Sequence, residues 1–108
     1  MTDVNKRLAG LVLLVAATTA AAEDRRVNII NETDYTIVEF HASNVGAGDW
    51  QEDILGKHTL LPGGAVVIDI DDGTGYCKYD LLAVFEDGDT AVQEGVDVCE
   101  IESFRFTE

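Results

Sequence analysis

The sequence predicts an all-β protein, a small antiparallel β-sandwich of about six or seven strands with one short helix and one disulfide. Two observations lead to this fold class. After residue 22 the apolar residues fall in short runs rich in Val, Ile, Phe and Tyr, and Gly, Asp and Asn separate the runs. Turn signals join the runs, as is typical of small β-sandwiches.

The first element is a predicted secretory signal peptide over residues 1–22. Lys6 and Arg7 precede the apolar stretch LAGLVLLVAA, and the small residues of TTAAAED fit an A-x-A cleavage site. We place cleavage after Ala22 or after one of the two alanines before it. The apolar stretch is shorter than the roughly 20 residues that span a bilayer, so no membrane span is predicted. We therefore expect a single domain over 23–108, exported to the periplasm or the extracellular space.

The strands follow from alternation and turn signals. In AVVIDI, Val66, Ile68 and Ile70 share one face, which is the alternation of a half-buried strand. YTIVEF and YDLLAVF are apolar on both faces, so both are predicted to be central strands. An Asp-Gly pair in EDGDT predicts a hairpin turn, and Gly95 predicts the next turn. The predicted strands are 26–31, 35–42, 65–70, 79–86, 90–94, 96–99 and 101–107.

The segment GDWQEDILG is the predicted helix. Asp49 is suited to cap its first turn, and Glu52 three residues later completes a capping-box-like pair. Trp50 and Ile54, four residues apart, would form its apolar face, and a glycine would end it. We predict that Trp50 packs over one end of the strands, with a role as an aromatic anchor for a ligand as the alternative.

The charge of the chain limits its partners. Asp and Glu number 21 against 7 Lys and Arg, for a net charge of −14. Without the predicted signal peptide, 20 acidic and 5 basic residues leave −15 on 86 residues. Such a surface repels phosphate backbones and anionic lipids, so nucleic acids and membrane surfaces are poor partners. We expect a monomer whose partner is an unidentified protein or a cation, with plain solvation as the alternative reason for the charge.

The two cysteines, Cys77 and Cys99, are a predicted disulfide. Both follow an export signal, and small exported domains use disulfides to offset a small core. A redox motif would need the two close together, as in C-x-x-C. A zinc site would need more ligands than the scattered His41 and His58.

The stretch DIDDGTGYC is a candidate cation site. Asp69, Asp71, Asp72 and, beyond the turn, Asp80 supply hard oxygen ligands on loops, as calcium prefers. The spacing departs from an EF-hand, because no glutamate stands at the twelfth position. Asp and Gly are also the residues that turns use, and Cys77 ties the stretch covalently. A turn is the favoured interpretation, weak calcium binding is the alternative, and no other cofactor is predicted.

Catalytic motifs are absent from the sequence. Its serines, Ser43 and Ser103, lie outside any G-x-S-x-G elbow. His41 and His58 are candidate bases without a recognisable nucleophile, and GTG lacks the context of a phosphate-binding loop. We therefore predict a protein without catalytic activity, with a small enzyme as the alternative. Asn31 begins an N-E-T match to the N-glycosylation motif.

Several stretches together resemble a group of small exported bacterial proteins with one β-rich domain and no established function. They are NETDYTIVEFHASNVGAGDWQEDILG, LLPGG, DDGTGYCKYDLLAVFEDGD and VDVCEIESF, and they cover almost all of 23–108. Similar chains can carry the label argininosuccinate lyase. That family is a large, mostly helical tetramer with a signature loop GSSxMPxKxN, which does not occur in this sequence. The resemblance implies a β-rich exported domain and adds no mechanism. From the sequence as a whole we predict an interaction, envelope or stress module.

Overall fold

The computed structural model describes residues 24–108, and the predicted signal peptide lies outside the described residues. Six strands form two three-stranded sheets, ordered β3-β1-β6 and β2-β4-β5. The all-β fold class is therefore confirmed. Within the described part, no helix is long and apolar enough to cross a membrane. The strands are β1 (Arg26–Asn31), β2 (Ile37–Asn44), β3 (Ala65–Asp69), β4 (Lys78–Phe85), β5 (Thr90–Asp97) and β6 (Ser103–Phe106).

Side chains of both sheets bury into one hydrophobic core. In β4 every second residue is buried, which is the alternation expected of a strand with one face on a core. Phe40 of β2 meets Phe106 of β6 edge to face, with ring centroids 6.1 Å apart. Val27, Tyr79 and Leu81 have no exposed surface. The predicted inward face of AVVIDI is confirmed, because Ile68 and Ile70 are buried and the aspartate between them is exposed.

Two predictions about pairing are wrong. Strand β6 pairs with β1 in parallel, from Asn28 beside Ser103 to Asn31 beside Phe106, although the other three pairings are antiparallel. The first and last strands are not joined by a hairpin, so no turn fixes their relative direction. Strand β2, predicted to be central, lies at the edge of its sheet, whereas β4 is central as predicted.

The predicted helix is also wrong: the described residues contain no helix, and GDWQEDILG follows the outer edge of β2 instead. Ile54 N–H donates to Phe40 C=O at 2.8 Å, and the Asp53 carboxylate accepts Phe40 N–H at 2.9 Å and Leu55 N–H at 3.0 Å. Leu60 forms a β-bridge with Ile37. A single helical turn would be marginal by itself, and these bonds pair edge groups of β2 that would otherwise have no protein partner.

Gly95 lies within β5 and does not form the predicted turn. The predicted strands 90–94 and 96–99 merge here into one, because the chain continues through a β-bulge. Glu94 and Gly95 together oppose Asp80 of β4, and Gly95 N–H donates to the Asp80 carboxylate at 2.9 Å. Gly95 has φ 65°, a left-handed conformation that glycine adopts without strain.

Candidate functional site

The disulfide between Cys77 and Cys99 is confirmed, with Cα atoms 5.3 Å apart. It joins the end of the DIDDGTGYC loop to the turn after β5, and Val98 N–H donates to Cys77 C=O at 2.9 Å beside it. Of the described residues, only Cys77, Asp97 and Cys99 form a group of three metal-ligand types within 4.8 Å. Both sulfurs of this group are bonded to each other, so neither is a thiolate that can bind a metal.

Asp72 is the centre of the DIDDGTGYC loop. Its carboxylate accepts hydrogen bonds from Thr74 N–H at 3.0 Å, Asn44 Nδ2 at 2.9 Å and the Tyr79 hydroxyl at 2.7 Å, and also from the Thr74 hydroxyl. Burial by itself would raise the pKa of Asp72, but these bonds hold it well below its usual range. The ionised carboxylate thus joins the loop to the end of β2 and to the start of β4.

The other predicted cation ligands take part in local hydrogen bonds. Asp69 accepts Asp71 N–H at 3.1 Å, and Asp71 accepts Gly73 N–H at 3.0 Å, so both close turns of the loop. Asp80 accepts the N–H of the bulge glycine. In the described residues these four carboxylates do not bring three ligand atoms within 4.8 Å of one another. The geometry is that of a turn, and calcium binding stays a prediction.

Trp50 lies at the surface, 42% exposed, and not over the core as predicted. Its segment follows the edge of β2, which places the indole beside an open cavity of about 290 Å³. Of the predicted site residues, Trp50 and Asp80 meet at this cavity. The lining residues are Ser43, Asn44, Val45, Gly48, Asp49, Trp50 and Asp80.

Both ring nitrogens of His41 are engaged. Nδ1 lies 2.6 Å from Gln51 C=O, and Nε2 lies 2.9 Å from a Glu39 carboxylate oxygen. A carbonyl and a carboxylate are both acceptors, so the ring satisfies both contacts when it is protonated at both nitrogens. Burial would lower the pKa of His41, but the two hydrogen bonds outweigh it and raise the pKa. In this state His41 joins β2 to its covering segment and has no free lone pair to act as a base.

The serines and the second histidine are apart from this arrangement. The Ser43 hydroxyl accepts Gln51 N–H at 2.8 Å, and Ser43 itself is buried. Ser103 and His58 are exposed, on β6 and in a loop. No hydrogen bond between described residues joins a serine hydroxyl to a histidine, which is the contact that nucleophilic catalysis uses.

We expect His41 to make stability depend on pH near neutrality. Because its folded-state pKa is raised, its contribution is fully present below the unfolded pKa of about 6.5 and is lost as pH rises through the folded pKa. Urea denaturation at pH 6 and pH 9 should show a larger drop in the free energy of unfolding for wild type than for His41→Gln. The two proteins share every other titratable group, so equal drops in the two would contradict the assignment.

Asn31 is unsuited to glycosylation in the folded domain. It has no exposed surface, and its amide donates to Tyr35 C=O at 2.7 Å and Leu60 C=O at 3.0 Å. Its carbonyl oxygen accepts both the N–H and the hydroxyl of Thr33. The Asn31 side chain therefore holds the turn after β1 against the segment that covers β2.

Comparison with known proteins shows that the fold of this chain is similar to that of a solved structure. No family model and no curated protein matches this sequence. The chain is similar to the NMR structure of a protein from Eubacterium rectale, with a TM-score of 0.52 and 17% identity over 79% of this chain and 76% of that one. At this identity the likeness concerns the fold alone, and it is consistent with the resemblance to small β-rich proteins of unknown function.

Proposed function

We propose that this chain is a non-catalytic exported module that binds a positively charged protein. The observation that carries the proposal is the charge of residues 86–102, which contain seven Asp or Glu and no Lys, Arg or His. All but Asp97 of these acidic residues are exposed. Opposite charge on a partner would steer it to this surface and favour it over acidic competitors.

Only some of the carboxylates of this acidic segment accept hydrogen bonds within the protein. Glu86 accepts Thr36 N–H at 2.8 Å, and the two Asp residues at 87 and 97 accept N–H groups of their own turns. The remaining four side chains make no hydrogen bond or ion pair with any described residue; they are Asp89, Glu94, Glu100 and Glu102. Their negative charge is therefore available to a partner. By contrast, Arg26 and Arg105 are paired, with Asp24 at 3.0 Å and Glu32 at 3.1 Å.

The cysteine chemistry supports the exported part of the proposal. A disulfide persists in oxidising compartments and is rare in the reducing cytosol. The Cys77–Cys99 bond is compatible with a periplasmic or extracellular location. A role as an envelope or stress module is part of the proposal and is compatible with such a location.

The test is capture of partners from the exported fraction at native salt on the immobilised protein. We expect a basic protein, identified by mass spectrometry, that is released as salt rises. Neutralising the acidic segment with Asp89→Asn, Glu94→Gln and Glu100→Gln should weaken its binding about tenfold or more, at up to about 1 kcal/mol per charge pair.

The matched control removes the same number of charges elsewhere, at exposed sites, with Asp34→Asn, Asp49→Asn and Glu52→Gln. It should bind the partner within about threefold of wild type. Equal losses in both variants, or capture of acidic proteins only, would contradict the proposal. Release of fumarate from argininosuccinate that is abolished by His41→Ala would favour the enzyme alternative instead.

A further inference from the structure

The two edges of the sheet β2-β4-β5 differ in how they are covered. Residues 51–60 follow the outer edge of β2, with Ile54 bonded to Phe40 and Leu60 bridged to Ile37. Strand β5 extends over eight residues, and no described segment pairs with its outer edge. An uncovered strand edge exposes backbone donors and acceptors on which another chain can form a ladder.

The direction of these backbone groups follows from the hairpin. Phe85 N–H donates to Asp89 C=O at 2.8 Å, so these two residues form a hydrogen-bonded pair. Such pairs alternate with non-bonded pairs along an antiparallel ladder. Thr90 and Val92, which oppose Val84 and Leu82, therefore direct N–H and C=O away from β4. The outward N–H and C=O groups of these two residues make no hydrogen bond with the described part of the chain.

We infer that an extended segment of the basic partner adds as a fourth strand along the free edge of β5, an inference that rests on the proposed function. Charge selects this occupant. Glu94 and Asp89 lie at the two ends of the accessible stretch and have no cationic partner among described residues. A second copy of this chain would bring the same carboxylates and a further net charge of −14 to the edge.

The edge also predicts which side chains the segment carries. Val92 is 51% exposed and lies beside Leu82 on the outer face of the sheet, so it offers an apolar neighbour. Glu94 follows on the same face, two residues further along β5. Cross-strand neighbours of opposite charge and of matching apolar character stabilise a sheet. The segment therefore carries Lys or Arg beside Glu94 and, two residues away on the same face, an apolar residue beside Val92.

The probe is a labelled nine-residue peptide, Lys-Thr-Val-Thr-Lys-Thr-Val-Thr-Lys, in which Lys and Val alternate at every second position and so share one face. It is compared with a peptide of equal charge in which Pro replaces Val. Both peptides carry the same positive charge for the acidic edge, but only the first has a backbone N–H at every position to form a ladder. We expect the Lys-Val peptide to bind about tenfold more tightly. It should also slow amide hydrogen exchange at Thr90 and Val92 and leave Val67 unchanged.

A matched pair of variants tests the edge itself. Val92→Pro removes one outward N–H from β5. Val67→Pro does the same on β3, where Val67 is exposed and, by the Ile70 N–H to Arg25 C=O bond, also faces away from its neighbour. The first should weaken Lys-Val binding about tenfold, and the second by less than twofold. Thermal melts will show whether both variants fold.

If Val92→Pro does not fold, Glu94→Lys replaces it, with Glu52→Lys on the opposite, covered edge as control. Glu94→Lys should weaken the Lys-Val peptide at least fivefold more than Glu52→Lys does. Equal binding of the two peptides, or unchanged exchange at Thr90 and Val92, would overturn strand addition. In that case salt-dependent capture of a basic protein would still support the proposed function, so the two ideas fail separately.

Discussion

Replacing Cys77 and Cys99 together with serine is expected to lower the free energy of unfolding by about 2 to 5 kcal/mol. The bond closes a loop between residues 22 apart in sequence, which restricts the unfolded chain. Loop closure of this length is worth about 3 kcal/mol in the chain-entropy model. A domain of this size buries a modest share of its surface, so a loss of this magnitude removes a large part of its stability.

Urea denaturation of wild type and the double serine variant measures this loss. Cys77→Ala with Cys99→Ala is the control, because alanine and serine should lose the same amount if the cross-link is the cause. Reduced wild type should unfold at the same urea concentration as the variants. A loss below about 1 kcal/mol, or two reactive thiols in protein from an oxidising compartment, would contradict the role of the bond.

Asp72→Ala is expected to lower the free energy of unfolding by about 2 to 4 kcal/mol, the second large effect. The change removes an ionised acceptor of four hydrogen bonds and leaves the hydroxyl of the buried Tyr79 without its partner. A buried polar group without a partner costs its full desolvation free energy. Asp71→Ala is the control, because Asp71 accepts one N–H within the same loop and the variant should lose under about 1 kcal/mol.

A double-mutant cycle with Tyr79→Phe separates the hydroxyl contact from the other bonds. Tyr79→Phe should destabilise wild type and have little effect once Asp72 is alanine. If the effects of the two mutations are additive, the coupling is refuted.

Since the folded-state pKa of Asp72 is lowered, its stabilisation is present above the unfolded pKa of about 3.9 and is lost as pH falls below it. Wild type should therefore lose more stability than Asp72→Asn on going from pH 5 to pH 2.

A double variant of the same loop tests calcium binding. A flexible carboxylate site that binds calcium should raise the Tm more in calcium than in magnesium at equal ionic strength. Because Asp72 is occupied by protein donors, we expect equal shifts from general charge screening. A calcium-specific rise that Asp71→Asn with Asp72→Asn abolishes would instead establish the site.

Features of the fold that depend on neighbouring residues could be predicted from the sequence. Alternating apolar residues place every second side chain of a strand on one face, so the positions of β1, β3 and β4 and the buried faces of β3 and β4 follow from local pattern. The disulfide follows as well, because a chain with a predicted export signal and two cysteines has one intramolecular pairing to make. The acidity of the surface is a property of composition alone.

Features that depend on distant partners were decided by the tertiary structure. The segment GDWQEDILG has the local signals of a helix, but the free edge of β2 supplies hydrogen-bond partners that an isolated turn lacks. Gly95 has the local signal of a turn, yet Asp80 on the neighbouring strand holds it in a bulge. Asp72 takes its partners from Asn44 and Tyr79, 28 and 7 residues away.

The physical reason is the same in each case. A backbone or carboxylate group bonds to whichever partner the fold brings within reach, and local sequence states only which partners are nearby along the chain. The sequence by itself therefore determined the strand character, the disulfide and the charge of this protein. Only the tertiary structure decided which strand edge is covered, which carboxylates are occupied by protein donors, and that the edge of β5 is left free in the described domain.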